Sequence, residues 1–405
     1  MIPEKPKILV ILNRLVIGGH TSDTIPLLFL FQQEYNLLVL YGCPEPDEAE
    51  ALFLLEKYPG LSLKKIHSLK KKIHFIRDLQ AIFSIYKIIR SFNPDLIHTH
   101  GTKAGFTGRI AARLAKNPVV FHTFHGHVFH SYYNRYITGL LIYTERMLAR
   151  ITDTVIAISE KQKQELVHRY RIVPEEKIRV VPLGIDTELY LRAATTGRIA
   201  FRQRYGLSAG ELAIGMIGRI VKVKNHEMFI RCILKILEIH ASGVTFFIIG
   251  NGHDKPHLQK MLTKGSVKWS ESNNFEAGSK VIFTSWIENL EEQIHGLDII
   301  ALTSLNEGTP LSLLEAQVCS KPVVATNVGG VQDIILEGLT GILSEPGDLD
   351  DFTKGLLLLI ENEEVRNKMG VKAGIFAAEN FSKQQEFAAL GELYRMAIRK
   401  GSLQI

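Results

Sequence analysis

The chain has 405 residues, 46% of them hydrophobic and 22% charged, with a formal net charge of +6. That length exceeds one ordinary core and that composition excludes a disordered or fibrous chain, so two globular domains are expected. Three scattered cysteines, Cys43, Cys232 and Cys319, exclude a disulfide framework and a cysteine-built zinc site and point to a reducing cytosol.

The N-terminus, "MIPEKPKILVILNRL", has too short an apolar run and no small-residue cleavage site, so it reads as a first strand and not as a signal peptide. No stretch approaches the roughly 20 apolar residues of a membrane span. Short apolar runs then alternate with helical stretches. In the first half they are "KILVIL", "YNLLVLYG", "DLIHTH", "PVVFHTFHG", "DTVIAIS" and "IRVVPLG". In the second half they are "LAIGMIG", "VTFFIIGNG", "VIFTSW", "DIIALTS" and "PVVATNVGG". This alternation predicts two α/β domains, each with a parallel sheet covered on both faces. Between them "GIDTELYLRAATTGRIAFRQRYGLSAGE" breaks the rhythm and reads as a linker, with the boundary between Thr187 and Gly206. The polar stretch 265–279 is assigned to no element.

Residues 1–190 hold 25 Lys and Arg against 18 Asp and Glu, and the remainder holds 23 against 24. A basic first half suits a membrane surface, a phosphorylated lipid or a nucleic acid; so modest an excess equally fits a well-solvated surface. Lys64, Lys65, Lys70, Lys71, Lys72 and Arg77 concentrate it in a loop and helix start.

Open parallel sheets bind ligands beyond the C-terminal ends of their strands, so a cleft between the two domains is the expected site. Arg219 leaves "LAIGMIG" and Lys224 follows, two cations suited to a diphosphate, or else ordinary surface charges. Gly18 and Gly19 follow the first strand and would let a phosphate approach backbone N–H groups, unless they simply turn the chain. "IIGNG" is a third strand-end glycine loop, and no P-loop element exists. After "DIIALTS", Thr309 is expected to cap a helix with Pro310 in its first turn. Glu315 then interrupts the apolar run "LSLLEAQVCS", where a carboxylate is costly without donors. A capping box from Ser312 is the bland alternative, against which Pro310 argues by starting the helix earlier. Hydrogen bonds from ligand hydroxyls, such as a ribose, are the functional one. Glu307 would face the same cleft, with the backbone of Gly308, Thr309, Pro310 and Leu311 aimed at a polar ligand.

"FHTFHGHVFH" holds His122, His125, His127 and His130, with His98 and His100 nearby. Their spacing follows no common zinc pattern, so no metal is expected, and strand-end packing accounts for most of them. His125, just before Gly126, is the one expected to face the cleft. Lys103 and Arg109 are candidates to meet an anionic acceptor.

"SLNEGTPLSLLEAQVCSKPVVATNVGGVQDII" closely resembles the Glu-x7-Glu region of glycosyltransferase family 4, retaining enzymes of the GT-B type fold. "GRIVKVKN" is similar to the family's Gly-Arg…Lys element and "IGG" to its N-terminal glycine loop. "HTHGTKAGFTGRIAARLA", "ERMLARITDTVIAIS" and "KIRVVPLGIDTELY" look like bacterial members that build cell-surface polysaccharide. The resemblance implies that Arg219 and Lys224 hold the diphosphate of a nucleotide-sugar, Glu315 its ribose and Glu307 the donor sugar. The 308–311 backbone would touch sugar and phosphate, Gly18 and Gly19 the phosphates or acceptor, and Ser285 and Trp286 the base. It further implies a histidine after "TF", here His125, close to the transferred sugar. The expected division is an acceptor domain over 1–190, a nucleotide-sugar domain over 191–381, and a helix over 382–400 that packs back on the first. The chain departs from the family at His20, Thr21 and Ser22, and at Ser285 and Ser320, where glycine is common.

The expected activity is transfer of a sugar, from a UDP-sugar ahead of a GDP-sugar, to a lipid-linked saccharide, with retention, no cofactor and no nucleic-acid partner. A nucleotide-sugar epimerase and a non-catalytic sugar-nucleotide-binding subunit are the rivals. The expected place is the cytoplasm, at the inner face of the membrane, touched through the Lys-rich 64–77 segment, Phe75, Ile76 or "VFHSYYNRY".

Overall fold

The computed structural model describes residues 4–46, 48–116, 119–126, 129, 135–240 and 242–402. The chain divides into two compact units, residues 1–184 with 383–405, and residues 185–382. His127 and His130 lie outside the described residues, as does most of "VFHSYYNRY".

The first unit runs β1 (Lys7–Leu12), α1 (Gly19–Phe31), β2 (Asn36–Gly42), α2 (Phe53–Lys57), β3 (Leu63–Ile66), α3 (Phe75–Phe92) and β4 (Leu96–His100). It continues with α4 (Thr102–Ala115), β5 (Val120–Phe124), α5 (Arg135–Arg150), β6 (Thr154–Ala157), α6 (Glu160–Gln164) and β7 (Ile178–Val180). Its parallel sheet has the order β3-β2-β1-β4-β5-β6-β7. Alternate residues of β1 serve opposite faces, which is why the run is apolar throughout. Ile8, Val10 and Leu12 join one core with α1, and Leu9 and Ile11 join another with α3 and α4.

The second unit opens with α7 (Thr187–Arg192), α8 (Ala194–Arg204), β8 (Leu212–Ile217), α9 (His226–Ile239), β9 (Val244–Ile249), α10 (Lys255–Lys264) and β10 (Trp269–Glu271). Then come β11 (Val281–Ser285), α11 (Leu290–Gly296), β12 (Ile299–Leu302), α12 (Leu311–Val318), β13 (Val323–Thr326), β14 (Gly341–Ser344), α13 (Leu349–Glu361) and α14 (Glu363–Asn380). Its parallel sheet has the order β10-β11-β9-β8-β12-β13-β14. The last helix, α15 (Lys383–Ser402), belongs to the first unit. Tyr394 on it packs against Phe31 with the rings tilted by 42° and hydrogen-bonds His98 Nδ1 at 2.5 Å. Lys383 Nζ lies 2.7 Å from Asp23 Oδ1 of α1 and 2.7 Å from Glu386 Oε2, all three buried.

Three expectations are corrected. The expected linker is not a linker: residues 187–204 form α7 and α8, and Phe201 packs against Phe247, ring centroids 4.8 Å apart, in the core of the second unit. The crossing lies earlier, between Gly184 and Ile185. Three strands without an apolar run also exist, β3 "LKKI", β10 "WSE" and β14 "GILS". All are edge strands, where partial solvent exposure admits polar residues. Lys64 and Lys65 therefore sit on β3 and not in a loop.

Ser320 and Ser285 both have left-handed backbone, with φ of 55° and 59°. Ser320 ends α12: its N–H donates to the Gln317 carbonyl at 2.8 Å and the Lys321 N–H to the Ala316 carbonyl at 2.9 Å, the Schellman pattern. A serine there bears a steric cost of about 1 kcal/mol that glycine escapes. Ser320→Gly should therefore stabilise the chain by up to about 1 kcal/mol, read as a higher urea midpoint.

Candidate active site

In each sheet the strand order reverses once, and the loops on either side of the reversal frame a crevice at the strand ends. In the second unit the flanking strands are β8 and β12. The loop after β8 carries Arg219 and Lys224, and the loop after β12 carries Glu307. Lys224 Nζ lies 2.6 Å from Glu307 Oε1, and Ser304 Oγ donates to the same oxygen at 2.5 Å. The two loops are also tied by backbone: the Leu305 N–H donates to the Val223 carbonyl at 2.8 Å, and Thr303 Oγ1 to the Asn225 carbonyl at 2.9 Å.

The loop after β13 locks the third side. Gly329 has φ of 52°, and a Cβ there would collide with the Glu307 carbonyl oxygen. The neighbouring Gly330 N–H donates to the Gly308 carbonyl at 2.8 Å. The "IIGNG" loop has a structural role of the same kind, since a Cβ at Gly250 would strike the Gly218 carbonyl. The Gly250 N–H bonds the Ser285 carbonyl at 2.9 Å, and Trp286 follows, half-buried, beyond β11.

Helix α12 begins at Leu311 with Pro310, not Thr309, in the cap position, because the extended proline backbone holds the turn. Glu315, 7% exposed, accepts a 2.8 Å hydrogen bond from the Tyr190 hydroxyl on α7. Burial and the Glu315 charge push the Tyr190 phenol well above its usual value, so it stays a donor. His295 in turn contacts the Tyr190 carbonyl at 2.7 Å. Tyr190 was missed because it lies in the stretch read as a linker. A tyrosine with i+3 and i+4 apolar neighbours was the only signal.

In the first unit the reversal lies between β1 and β4. Gly18 caps α1 with φ of 153°, a conformation glycine tolerates, and Gly19 opens the helix. His125 follows β5, and its Nε2 lies 2.9 Å from His100 Nδ1 at the end of β4. His20, in the first turn of α1, meets the His125 ring edge-on at 4.3 Å between centroids. His98 and His122 are core residues: His98 bonds Tyr394 and Thr123, and His122 bonds Thr99.

Lys103 and Arg109, the two candidates to meet an acceptor, each have a carboxylate partner inside the first unit. Arg109 is fully buried, with Nη2 2.6 Å from Glu145 on α5. Its helical position said nothing of this, because the partner is 36 residues away. Lys103 Nζ is 2.6 Å from Asp78 of α3, and both are largely buried.

Two family models tile most of the chain: "Glycosyltransferase Family 4" over residues 32–189 and "Glycosyl transferases group 1" over 197–374. The chain belongs to the glycosyltransferases of family 4, and it is an enzyme of that class. It is 28% identical over 312 residues to the UDP-Gal:alpha-D-GlcNAc-diphosphoundecaprenol alpha-1,3-galactosyltransferase of Escherichia coli, covering 75% of this chain and 78% of that one. It is 23% identical to the capsular polysaccharide biosynthesis glycosyltransferase CapM of Staphylococcus aureus, covering 82% and 84%. The fold is similar to that of HepE from Anabaena, solved with UDP and glucose, at a TM-score of 0.81 and 19% identity, covering 96% of this chain and all, 100%, of that one. The two-domain α/β fold is thus that of the GT-B glycosyltransferases.

Burial without counter-charge holds His98, His125 and His226 down at about 3. A histidine neutral in the folded state and protonated in the unfolded one loses stability as pH falls below about 6.5, by up to about 1.4 kcal/mol per pH unit each. Glu386, pushed up to about 8 by burial and the Asp23 charge, acts oppositely, losing stability as pH rises from about 4.5 to 8, but it is one group against three. The urea midpoint should therefore be lower at pH 5.5 than at pH 7.5; equal midpoints would contradict the burial of these rings.

Proposed function

We propose that the enzyme moves a hexosyl or N-acetylhexosaminyl group from a UDP-sugar to a hydroxyl of a lipid-linked saccharide in bacterial surface polysaccharide synthesis, with retention at the anomeric carbon. The observation that carries this is the Lys224–Glu307–Ser304 cluster at the second unit's strand reversal, followed by Glu315 on α12. UDP as nucleotide and a lipid-linked acceptor are favoured by the activity of the Escherichia coli relative.

Arg219 and Lys224 take the diphosphate. Its arrival competes with Glu307 for Lys224 and frees the carboxylate to accept from hydroxyls of the donor sugar. The opening N–H groups and dipole of α12 add positive potential at the Gly308–Leu311 turn. Glu315, oriented by Tyr190, accepts from the ribose, and Ser285 and Trp286 border the base. His125 hydrogen-bonds a donor hydroxyl. The acceptor oxygen bonds to the anomeric carbon on the face from which the carbon–phosphate oxygen bond breaks. Its proton passes to the departing phosphate oxygen, and the cations hold the negative charge that develops there.

The test is a panel of nucleotide-sugars followed by thermal shift and nucleotide release. One UDP-sugar should raise the melting point of the parent and fail to do so with Glu315→Ala and Lys224→Ala. Both variants should lose about 100-fold or more in kcat/KM. Conversion of the nucleotide-sugar to its epimer, with no acceptor present and no net nucleotide release, would turn the assignment to an epimerase. A shift with a nucleotide-sugar but no turnover with any acceptor would move the non-catalytic subunit to the front, and no shift with any nucleotide-sugar would overturn the site.

The first unit carries 29 Lys and Arg against 18 Asp and Glu, and the second 19 against 24. No described helix is long and apolar enough to cross a membrane. Ile73, Phe75 and Ile76 are 82%, 77% and 61% exposed beside exposed Lys71 and Lys72. On α5, Tyr136, Leu140, Tyr143 and Met147 form a second exposed stripe at helical spacing. Apolar side chains flanked by lysines match an anionic bilayer surface, and they are proposed to bring the enzyme to its lipid-linked acceptor at the inner face of the membrane. Flotation with anionic vesicles should be lost when Lys71 and Lys72 become Glu and Phe75 becomes Ser. Binding unchanged by these substitutions would remove this segment from the contact.

A further inference from the structure

Three imidazoles far apart in the sequence meet at the strand reversal of the first unit. His20 comes from the first turn of α1, His100 from the end of β4 and His125 from just beyond β5. One nitrogen from each lies within 4.8 Å of the others. We propose that His20, His100 and His125 bind a divalent transition-metal ion of the kind that prefers imidazole, such as zinc, and that the bound ion withdraws His125 from the substrate and inhibits transfer.

The ring centroids are 4.3, 5.2 and 5.9 Å apart. A tetrahedral zinc with Zn–N near 2.05 Å places its imidazole centroids about 5.2 Å and its nitrogens about 3.4 Å apart. The rings are therefore already spaced for such an ion, and closure asks for a movement of about 1 Å. His20 can supply it, being partly exposed and following two glycines.

The polar accounting points to a missing partner. His20 Nε2, His100 Nε2 and His125 Nδ1 are buried without a hydrogen-bond partner among the described residues. The His100–His125 bond needs one donor and one acceptor, so either tautomer leaves one further donor and one further lone pair unmatched. Buried groups in this state call for a water, an ion or a ligand. A neutral imidazole offers one ring nitrogen lone pair, which is the atom a metal ion of this kind binds. His98, though beside His100, spends both nitrogens on Tyr394 and Thr123 and is no ligand. Sequence spacing concealed the site because its third member stands about 80 residues before the other two's strand ends meet.

Cobalt(II) is the probe, titrated into the metal-stripped full-length chain and followed by visible absorption. The parent should bind one equivalent with the intense bands of a four-coordinate ion, and zinc should displace it. His20→Ala, a change at a partly exposed helix start, should weaken binding about 100-fold or more. His253→Ala, at an exposed histidine, should leave it intact. No bands from the parent, or an unchanged titration in His20→Ala, overturns the site. This outcome does not depend on the identity of the donor. One equivalent of zinc should also suppress nucleotide release until a chelator is added; full release with the site occupied overturns the inhibitory role.

Discussion

Glu307 has a side chain only 10% exposed, and it is held between the Lys224 ammonium and the Ser304 hydroxyl. A carboxylate so placed would be costly unpaired, since breaking a buried pair leaves one charge without compensation. The loops after β8, β12 and β13 are arranged to keep that pair, through Thr303, Leu305, Gly329 and Gly330. The same arrangement makes a ready anion site. In the proposed mechanism a diphosphate replaces the Glu307 carboxylate at Lys224, and the ion pair keeps both groups in place beforehand.

The first unit is organised around buried polar groups of another kind. Lys383 sits between Asp23 and Glu386, and Tyr394 reaches His98 through the core. These contacts fasten α15 to α1 and to the sheet, so the chain's last helix rests on its first unit. Asp23 lies one turn along α1 from Gly19 and His20, which open that helix. One helix thus contacts α1 and β4 and supplies the Lys383 charge near His125.

Much was legible because burial on both faces of a parallel strand forces continuous apolar runs. Eleven such runs were read, and each corresponds to a strand. The edge strands β3, β10 and β14 were not readable, because one-sided exposure removes the signal. Among the candidate site residues, Arg219, Lys224 and Glu307 stand out as charges in loops that follow buried strands, and Glu315 as a charge within an apolar helical run; the fold brings Lys224 to Glu307 and Tyr190 to Glu315. Ser285 and Ser320 stood out as serines in glycine positions, and their positive φ supplies the reason.

The sequence by itself determined the two parallel-sheet halves, the strand-end loops and the family, since these follow from local periodicity and contiguous motifs. Only the tertiary structure decided which side chain meets which partner inside the fold. Arg109 pairs with Glu145, Lys103 with Asp78 and Glu315 with Tyr190, and His20 joins His100 and His125. Each of these partners comes from a different element, brought close by strand order and helix packing. Period and spacing along the chain carry no record of such distances.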